Sequence, residues 1–151
     1  SYTPGYQNSG YFMRKYAPLA SNVAPDGDPA LNWGNNIREI RYADALLMAA
    51  EGLARSNGSE GTARTYLNEV RNRVGLPPVS SSGSQLLDDI YTERRFELAT
   101  EGHRFFDLLR TGRAEQVLGG QGFVQSIHQY LPIPQQEIDA SQGVLTQNPG
   151  Y

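Results

Sequence analysis

From Ile37 onwards, apolar residues recur at three- and four-residue spacing, which predicts an amphipathic helix. Asn36 is the predicted N-cap, with Glu39 three residues later as in a capping box. Asn57-Gly58 is predicted to end this helix through a left-handed residue. The predicted inner face consists of Ile40, Ala43, Leu46, Leu47, Ala50, Leu53 and Ala54.

A second helical stripe follows after a short polar turn, and Gly75 with Pro77-Pro78 is predicted to stop it. Its apolar members are Ala63, Tyr66, Leu67, Val70 and Val74. Two such helices joined by a short turn predict an antiparallel hairpin. The unit from Tyr42 to Pro77 is close to the length of a tetratricopeptide repeat, about 34 residues. The sequence shows no second copy, so the hairpin must pack on something else.

The same pattern predicts two further helices. Ser84 is the predicted cap of a third helix that runs to Gly102, with the apolar positions Leu86, Leu87, Ile90, Tyr91 and Leu98. Arg104 to Arg110 forms a predicted fourth helix, closed by Thr111-Gly112.

We therefore predict one all-α domain over residues 1–151: a tetratricopeptide-like helical hairpin plus further helices with long irregular segments. Residues 1–35 form a loop-rich entry, in which Tyr11-Phe12-Met13 fits a short strand. The helical core occupies residues 36–112. Residues 113–151 form an extended C-terminal segment, because the prolines of Leu131-Pro132-Ile133-Pro134 disfavour helix in the preceding residues.

Composition excludes several classes of function. The formal charge of −3 offers no basic surface for nucleic acid or anionic lipid. The absence of cysteine excludes thiolate metal sites and cysteine nucleophiles. No apolar run approaches the roughly 20 residues that span a bilayer, and no signal peptide opens the chain, so we interpret it as a mature or cut-out segment.

The densest group of charges lies in the third and fourth helices, where Glu93, Glu97 and Glu101 stack on one predicted face. Paired carboxylates could indicate a glycosidase. However, a general acid needs an apolar pocket, whereas neighbouring guanidinium groups favour the charged carboxylate. We therefore favour a structural salt-bridge network that joins these helices to each other and to the hairpin. Its predicted members are Glu93, Arg94, Glu97, Glu101, Arg104, Asp107 and Arg110.

No metal, cofactor or catalytic site is predicted. His103 and His128 are isolated, without a second histidine at ligand spacing. Asp26-Gly27-Asp28 resembles part of a calcium loop, but a turn explains it better. The glycines of residues 119–122 lack the spacing of a dinucleotide loop and predict a flexible break.

Aromatic residues crowd the loop-rich entry, where a helical core needs few of them. Exposed rings suit stacking against sugars or peptides, and they also suit protein interfaces. Packing against the helices explains most of these rings. The candidate ligand-binding residues are Trp33, which we favour, together with Tyr11 and Tyr6.

Several segments match signatures of the SusD/RagB family, and they do so in order along nearly the whole chain. Residues 37–51 resemble its R-Y-A-E-x-L-L-M-x-A-E-A helix, and residues 93–110 resemble E-R-R-x-E-L-x-x-E-G-x-R-x-x-D-L-x-R. The ending Q-N-P-G-Y at residues 147–151 is similar to the family's ending. Further matches are the G-Y-x-x-x-K-Y segment 10–16, the N-x-V-R-x-R segment 67–75 and the P-I-P-x-x-E segment 131–138.

This resemblance implies a non-catalytic, nutrient-binding lipoprotein on the outer face of the Bacteroidetes outer membrane. Its expected partner is a SusC-like TonB-dependent transporter, and its expected ligand is a polysaccharide or oligosaccharide, less often a peptide. The membrane would be reached only through a lipid anchor outside this chain. Family members have several hundred residues, so we interpret the chain as a C-terminal portion. The family's ligand-contacting aromatics lie mostly in parts absent here and vary between members.

Two other functions remain open from the residues alone. One is a helical-repeat protein-interaction scaffold without its own small-molecule ligand. The other is a glycan hydrolase, which turnover of a polysaccharide would reveal.

Overall fold

The structure is a computed structural model that describes residues 10–11, 13–17, 19–22, 28, 34, 38–56 and 58–151. The chain divides into two compact units, Ser1–Thr100 and Glu101–Tyr151. Within the described ranges there is no β-strand, and the prediction of an all-α fold is confirmed. Tyr11 and Met13 lie outside any strand, and Phe12 falls outside the described residues. None of the described helices is long and apolar enough to cross a membrane.

The first unit is built on three helices, α1 (Tyr42–Arg55), α2 (Glu60–Arg73) and α3 (Gly83–Glu97). Helix α1 packs against both of the others, and most extensively against α2. The predicted hairpin is therefore present, and α3 is the element on which it packs. Its resemblance to a tetratricopeptide repeat stays a prediction. The core consists of Leu46, Leu47, Ala50, Ala63, Leu67, Val70, Leu86 and Ile90.

Helix α1 begins later than its apolar pattern predicts. The predicted cap Asn36 lies outside the described residues, and the helix starts at Tyr42 after Arg41, whose backbone is extended (φ −125°, ψ 152°). Ile40, predicted on the inner face, is 79% exposed. Residues 38–41 are not helical, and the Arg41 side chain donates to the carboxylate and the carbonyl of Glu97, contacts that the apolar pattern does not record.

The turn between α1 and α2 contains Gly58, where Leu53 leaves little room for a side chain. Gly58 is not among the glycines with positive φ, and the left-handed exit predicted for the Asn57-Gly58 pair stays a prediction. A Cβ at this position would lie 2.9 Å from Leu53 Cδ2 and 3.1 Å from the Leu53 carbonyl oxygen. Asn57 lies outside the described residues.

Helix α2 has clear local signals at both ends. Ser59 Oγ accepts a hydrogen bond from the Thr62 N–H at 3.2 Å, which caps the first turn. At the other end Gly75 has φ +74°, and the N–H groups of Gly75 and Leu76 donate to the carbonyls of Asn72 and Arg71. This is a Schellman motif, and it confirms the predicted stop. Val74 belongs to this terminus and is half exposed, not a member of the inner stripe.

Helix α3 differs from its prediction at both ends. Its N-cap residue is Ser82 rather than Ser84, which lies inside the first turn. The helix ends at Glu97, and residues 98–102 form turns in which Thr100 (φ +72°) and Gly102 (φ +84°) are left-handed. These positive φ values cannot continue a right-handed helix, so the predicted run to Gly102 is wrong.

The second unit contains four α-helices, α4 (His103–Arg110), α5 (Ala114–Leu118), α6 (Gln125–His128) and α7 (Gln135–Ala140), and a 3-10 helix at Gly119–Gln121. Gly112, with φ +70°, ends α4 as predicted. Residues 113–151 hold three short α-helices and the 3-10 helix where the sequence predicted extended chain. Residues 131–134 lie outside these helices, as the prolines require. The description of residues 1–151 as one family domain stays a prediction.

Candidate functional site

The predicted ligand-binding aromatics are only partly described. Trp33 and Tyr6 lie outside the described residues, so the structure does not show whether the three rings come together. Tyr11 is described, and 89% of its surface is exposed. An exposed tyrosine ring suits stacking against a sugar, but exposure alone does not identify a ligand.

Glu97, at the C-terminal end of α3, is the centre of a charge cluster in the first unit. Its Oε1 accepts from Arg41 Nη1 and its Oε2 accepts from Arg73 Nη2, each at 2.7 Å. Arg41 Nη2 also donates to the Glu97 carbonyl oxygen at 2.8 Å, which satisfies a carbonyl of the last helical turn. One carboxylate thus joins the residue before α1, the end of α2 and the end of α3.

Two further ion pairs connect α3 to its neighbours. Arg71 Nη1 of α2 donates to Glu93 Oε2 at 2.7 Å. Arg94 Nη1 donates to Asp44 Oδ1 of α1 at 2.7 Å, and both side chains are buried. Charge-assisted bonds of this length are strong, and burial of either partner without the other would be costly.

The charges of this cluster act on the pKa of Lys15. Partial burial lowers the pKa of Lys15 from its ordinary value, and the charge of Arg41 lowers it further. The Glu97 carboxylate opposes this shift, while Arg38 and Arg73 add to it.

In the second unit, Arg110 donates through Nε and Nη2 to Asp107 Oδ1, at 2.8 and 2.6 Å. Glu101 and Arg104 belong to this unit as well. The prediction that one network ties α3 to α4 stays a prediction. The structure shows several arginine–carboxylate pairs inside the first unit and the Arg110–Asp107 pair inside the second.

Sequence reasoning missed the buried acids of α1. Asp44 and Glu51 are both buried, although a surface helix usually exposes its charges. Glu51 Oε1 accepts from Arg55 at 3.0 Å and from the Tyr91 hydroxyl at 3.4 Å. Their spacing of seven residues, on the same face as Leu47, is a signal that could have revealed them.

The arrangement offers little for acid–base or metal chemistry. Among the described residues, no group of three or more His, Asp or Glu side chains could hold a metal ion. His128 has a local structural role, because its Nδ1 accepts from the Val124 N–H at 2.8 Å and its ring lies 5.6 Å from that of Phe123.

The C-terminal residues hold the proline-containing segment in place. The Gln147 side chain forms two hydrogen bonds with the backbone of Ile133, both at 2.8 Å. Its Oε1 accepts from the Ile133 N–H, and its Nε2 donates to the Ile133 carbonyl. Asn148 Nδ2 donates to the Leu131 carbonyl at 2.7 Å, and the Tyr151 hydroxyl donates to the Tyr130 carbonyl at 3.1 Å. The ending that sequence analysis described as a turn with an aromatic anchor is thus a clasp made by three side chains.

Comparison with known proteins places the chain among SusD-like proteins. The model of the SusD family matches residues 2–151. SusD-like protein P2 of Formosa agariphila is 33% identical over 152 residues, covering 91% of this chain and 29% of that protein. SusD-like protein P38 of the same organism is 36% identical over 126 residues, covering 77% and 24%.

Solved structures give the same result. A laminarin binding SusD-like protein superposes with a TM-score of 0.87 at 47% identity, covering all of this chain and 31% of that one. Surface glycan-binding protein A from Bacteroides thetaiotaomicron superposes with a TM-score of 0.85 at 43% identity, covering 99% and 32%. The chain therefore spans less than a third of the length of these relatives.

Proposed function

This chain belongs to the SusD family, and from that membership we propose that it forms part of a non-catalytic protein that binds glycans for nutrient uptake. The similarity to the laminarin binding SusD-like protein, 47% identical over the whole chain, is the observation that carries this proposal. Surface glycan-binding protein A, at 43% identity, supports the same ligand class. Both names describe binding rather than turnover.

The charge clusters support a non-catalytic role. Glu93 and Glu97 each accept a short hydrogen bond from an arginine. Such a partner favours the charged carboxylate, which suits a structural ion pair rather than a proton donor. Ligand capture would instead depend on ring stacking and on hydrogen bonds to hydroxyl groups. Tyr11 is the described candidate for such a contact, and Trp33 and Tyr6 remain candidates from the sequence.

The proposed setting is the outer face of the outer membrane, with the full polypeptide held by a lipid anchor. Its partner would be a SusC-like TonB-dependent transporter that receives the bound glycan. We expect the two proteins to co-purify from detergent-solubilised outer membranes. A polypeptide recovered without any transporter would favour the interaction-scaffold alternative.

Affinity electrophoresis of the encoded polypeptide against a polysaccharide panel led by laminarin tests the ligand class. We expect retarded migration in at least one polysaccharide and no release of reducing ends. Retardation with product release would identify a hydrolase. A folded protein that no polysaccharide retards would contradict glycan binding and leave the peptide and scaffold alternatives.

Alanine variants of Trp33, Tyr11 and Tyr6 then test the candidate residues. The matched control is Tyr130→Ala, because Tyr130 is also exposed and contributes its backbone carbonyl to the C-terminal clasp. Loss of one stacked ring removes about 1 kcal/mol or more of binding. A candidate whose variant binds like the control has no part in the site.

A further inference from the structure

The clasp, residues 147–151, holds the proline-containing segment through side chains alone. Among the described residues, no backbone–backbone hydrogen bond joins the two segments. Gln147 binds both backbone groups of Ile133, and two further side chains of the clasp each donate to one carbonyl. The carboxamide of Gln147 thus takes the place of a neighbouring strand, which would exchange an N–H and a C=O bond with the same residue.

The closed position of the clasp is specific. Gly150 has φ +90°, and a Cβ there would lie 2.6 Å from Ile127 Cγ1 and 2.7 Å from Ile127 Cγ2. Both the backbone conformation and the lack of space at this position therefore require glycine. The polar contact at Gln147 is specific as well, because a carboxamide both donates and accepts, whereas a carboxylate only accepts.

The clasp nevertheless lies on the surface of the second unit. Its five residues are exposed or half-buried, and none of them belongs to the buried core. The preceding residues 142–146 are exposed, and two successive ones, Gln142 (φ +53°) and Gly143 (φ +90°), are left-handed. Few buried apolar contacts and solvent-exposed hydrogen bonds are the features of segments that open locally at a low cost in free energy.

We propose that the clasp opens as one piece while the helices of the second unit stay folded. Opening frees the N–H and the carbonyl of Ile133 together with the carbonyls of Leu131 and Tyr130, and transfers all four groups to water. The clasp is therefore a conformational device that controls when this stretch of backbone is accessible. The proposal goes beyond glycan binding and does not depend on it.

Native-state hydrogen exchange of the full-length polypeptide tests the proposal. The reporter is the Ile133 N–H, which donates to Gln147, and the reference is the Arg113 N–H, which donates to the Leu108 carbonyl at 2.9 Å in the same unit. We expect the protection factor of Ile133 to be about tenfold or more below that of Arg113. Added urea should change the exchange of Ile133 little, because local opening exposes little surface, whereas the exchange of Arg113 should accelerate.

Two variants open the clasp by different routes. Gln147→Ala removes both bonds to Ile133, and Gly150→Ala introduces a methyl group where no space exists. We expect each variant to accelerate exchange of the Ile133 N–H by about tenfold and to leave the exchange of Arg113 unchanged. Thr146→Ala is the matched control, because Thr146 is an exposed neighbour of the clasp, and we expect it to change neither rate.

Equal protection of Ile133 and Arg113 in the unmodified polypeptide overturns the proposal, because the clasp would then open only when the whole unit unfolds. The same holds if Gln147→Ala accelerates Arg113 by the same factor as Ile133. A control variant that accelerates Ile133 as strongly as Gln147→Ala also overturns the proposal, since the effect would not come from the contacts of the clasp.

Discussion

Helices α1 and α2 have the same length, 14 residues, and pack against each other, yet they distribute polar residues in opposite ways. Helix α2 follows the usual amphipathic pattern: it buries Ala63, Leu67 and Val70, and its charged side chains are exposed or half-buried. Helix α1 buries Asp44 and Glu51, and its exposed residues from Tyr42 to Gly52 carry no charge. Within one hairpin, α2 therefore keeps its charged side chains towards solvent, whereas α1 buries two of its acids against α2 and α3.

The two helices also begin differently. Helix α2 starts from a local signal, the Ser59 hydroxyl that caps its first turn. Helix α1 follows Arg41, which makes no side-chain cap and binds Glu97 instead. Local sequence thus determines the start of α2, and a partner 56 residues away takes part in the start of α1. Three substitutions test this difference between α1 and α2.

We expect the largest effect from Arg94→Ala, which leaves the buried Asp44 carboxylate without the guanidinium that donates to it. Loss of one partner from a buried pair destabilises by about 3–5 kcal/mol. Urea denaturation followed by circular dichroism measures the change. The double variant Asp44→Leu with Arg94→Leu restores much of the loss if the charge, rather than the shape, is responsible. A loss below about 1 kcal/mol would mean that α1 does not depend on its buried ions.

Leu67→Ala has the second-largest expected effect and tests the buried apolar face of α2. Leu67 is fully buried in the core, so the substitution removes its apolar contacts and leaves a cavity, which costs on the order of 3 kcal/mol. Thermal denaturation beside Thr65→Ala, an exposed position of the same helix, isolates the effect of burial. Equal melting temperatures in the two variants would contradict the assignment of α2's inner face.

Ser59→Ala has the smallest expected effect, about 1 kcal/mol, because it removes the acceptor for the Thr62 N–H. Ser56→Ala is the matched control, since Ser56 follows α1 and bonds to it through its backbone N–H. Chemical denaturation of both variants measures the difference. If Ser56→Ala destabilises as much, the cap does not explain the start of α2.

The candidate site could be predicted only in part. The resemblance carried by the signature segments identified the family, because those residues stand in fixed order along the chain. The ligand-contacting residues stay predictions, since Trp33 and Tyr6 lie outside the described residues and the exposure of Tyr11 does not specify a ligand. The ion-pair geometry was not readable from the sequence: spacing placed Glu93 and Glu97 on one face, but only packing assigned Arg71 to one and Arg41 with Arg73 to the other.

Sequence pattern alone predicted that helices α1 to α4 exist and that Gly75 and Gly112 end α2 and α4. It also predicted the core residues Leu46, Leu47, Leu67, Leu86 and Ile90, although it wrongly added Ile40. These features depend on periodicity and backbone freedom, which act within a few residues. Tertiary structure decided that α1 begins at Tyr42, that Asp44 is buried, and that residues 147–151 clasp the proline-containing segment. Each of these features depends on a partner at least 14 residues away in the sequence. The free energy of such a tertiary contact exceeds the helix propensity of single residues, which is what the apolar pattern reflects.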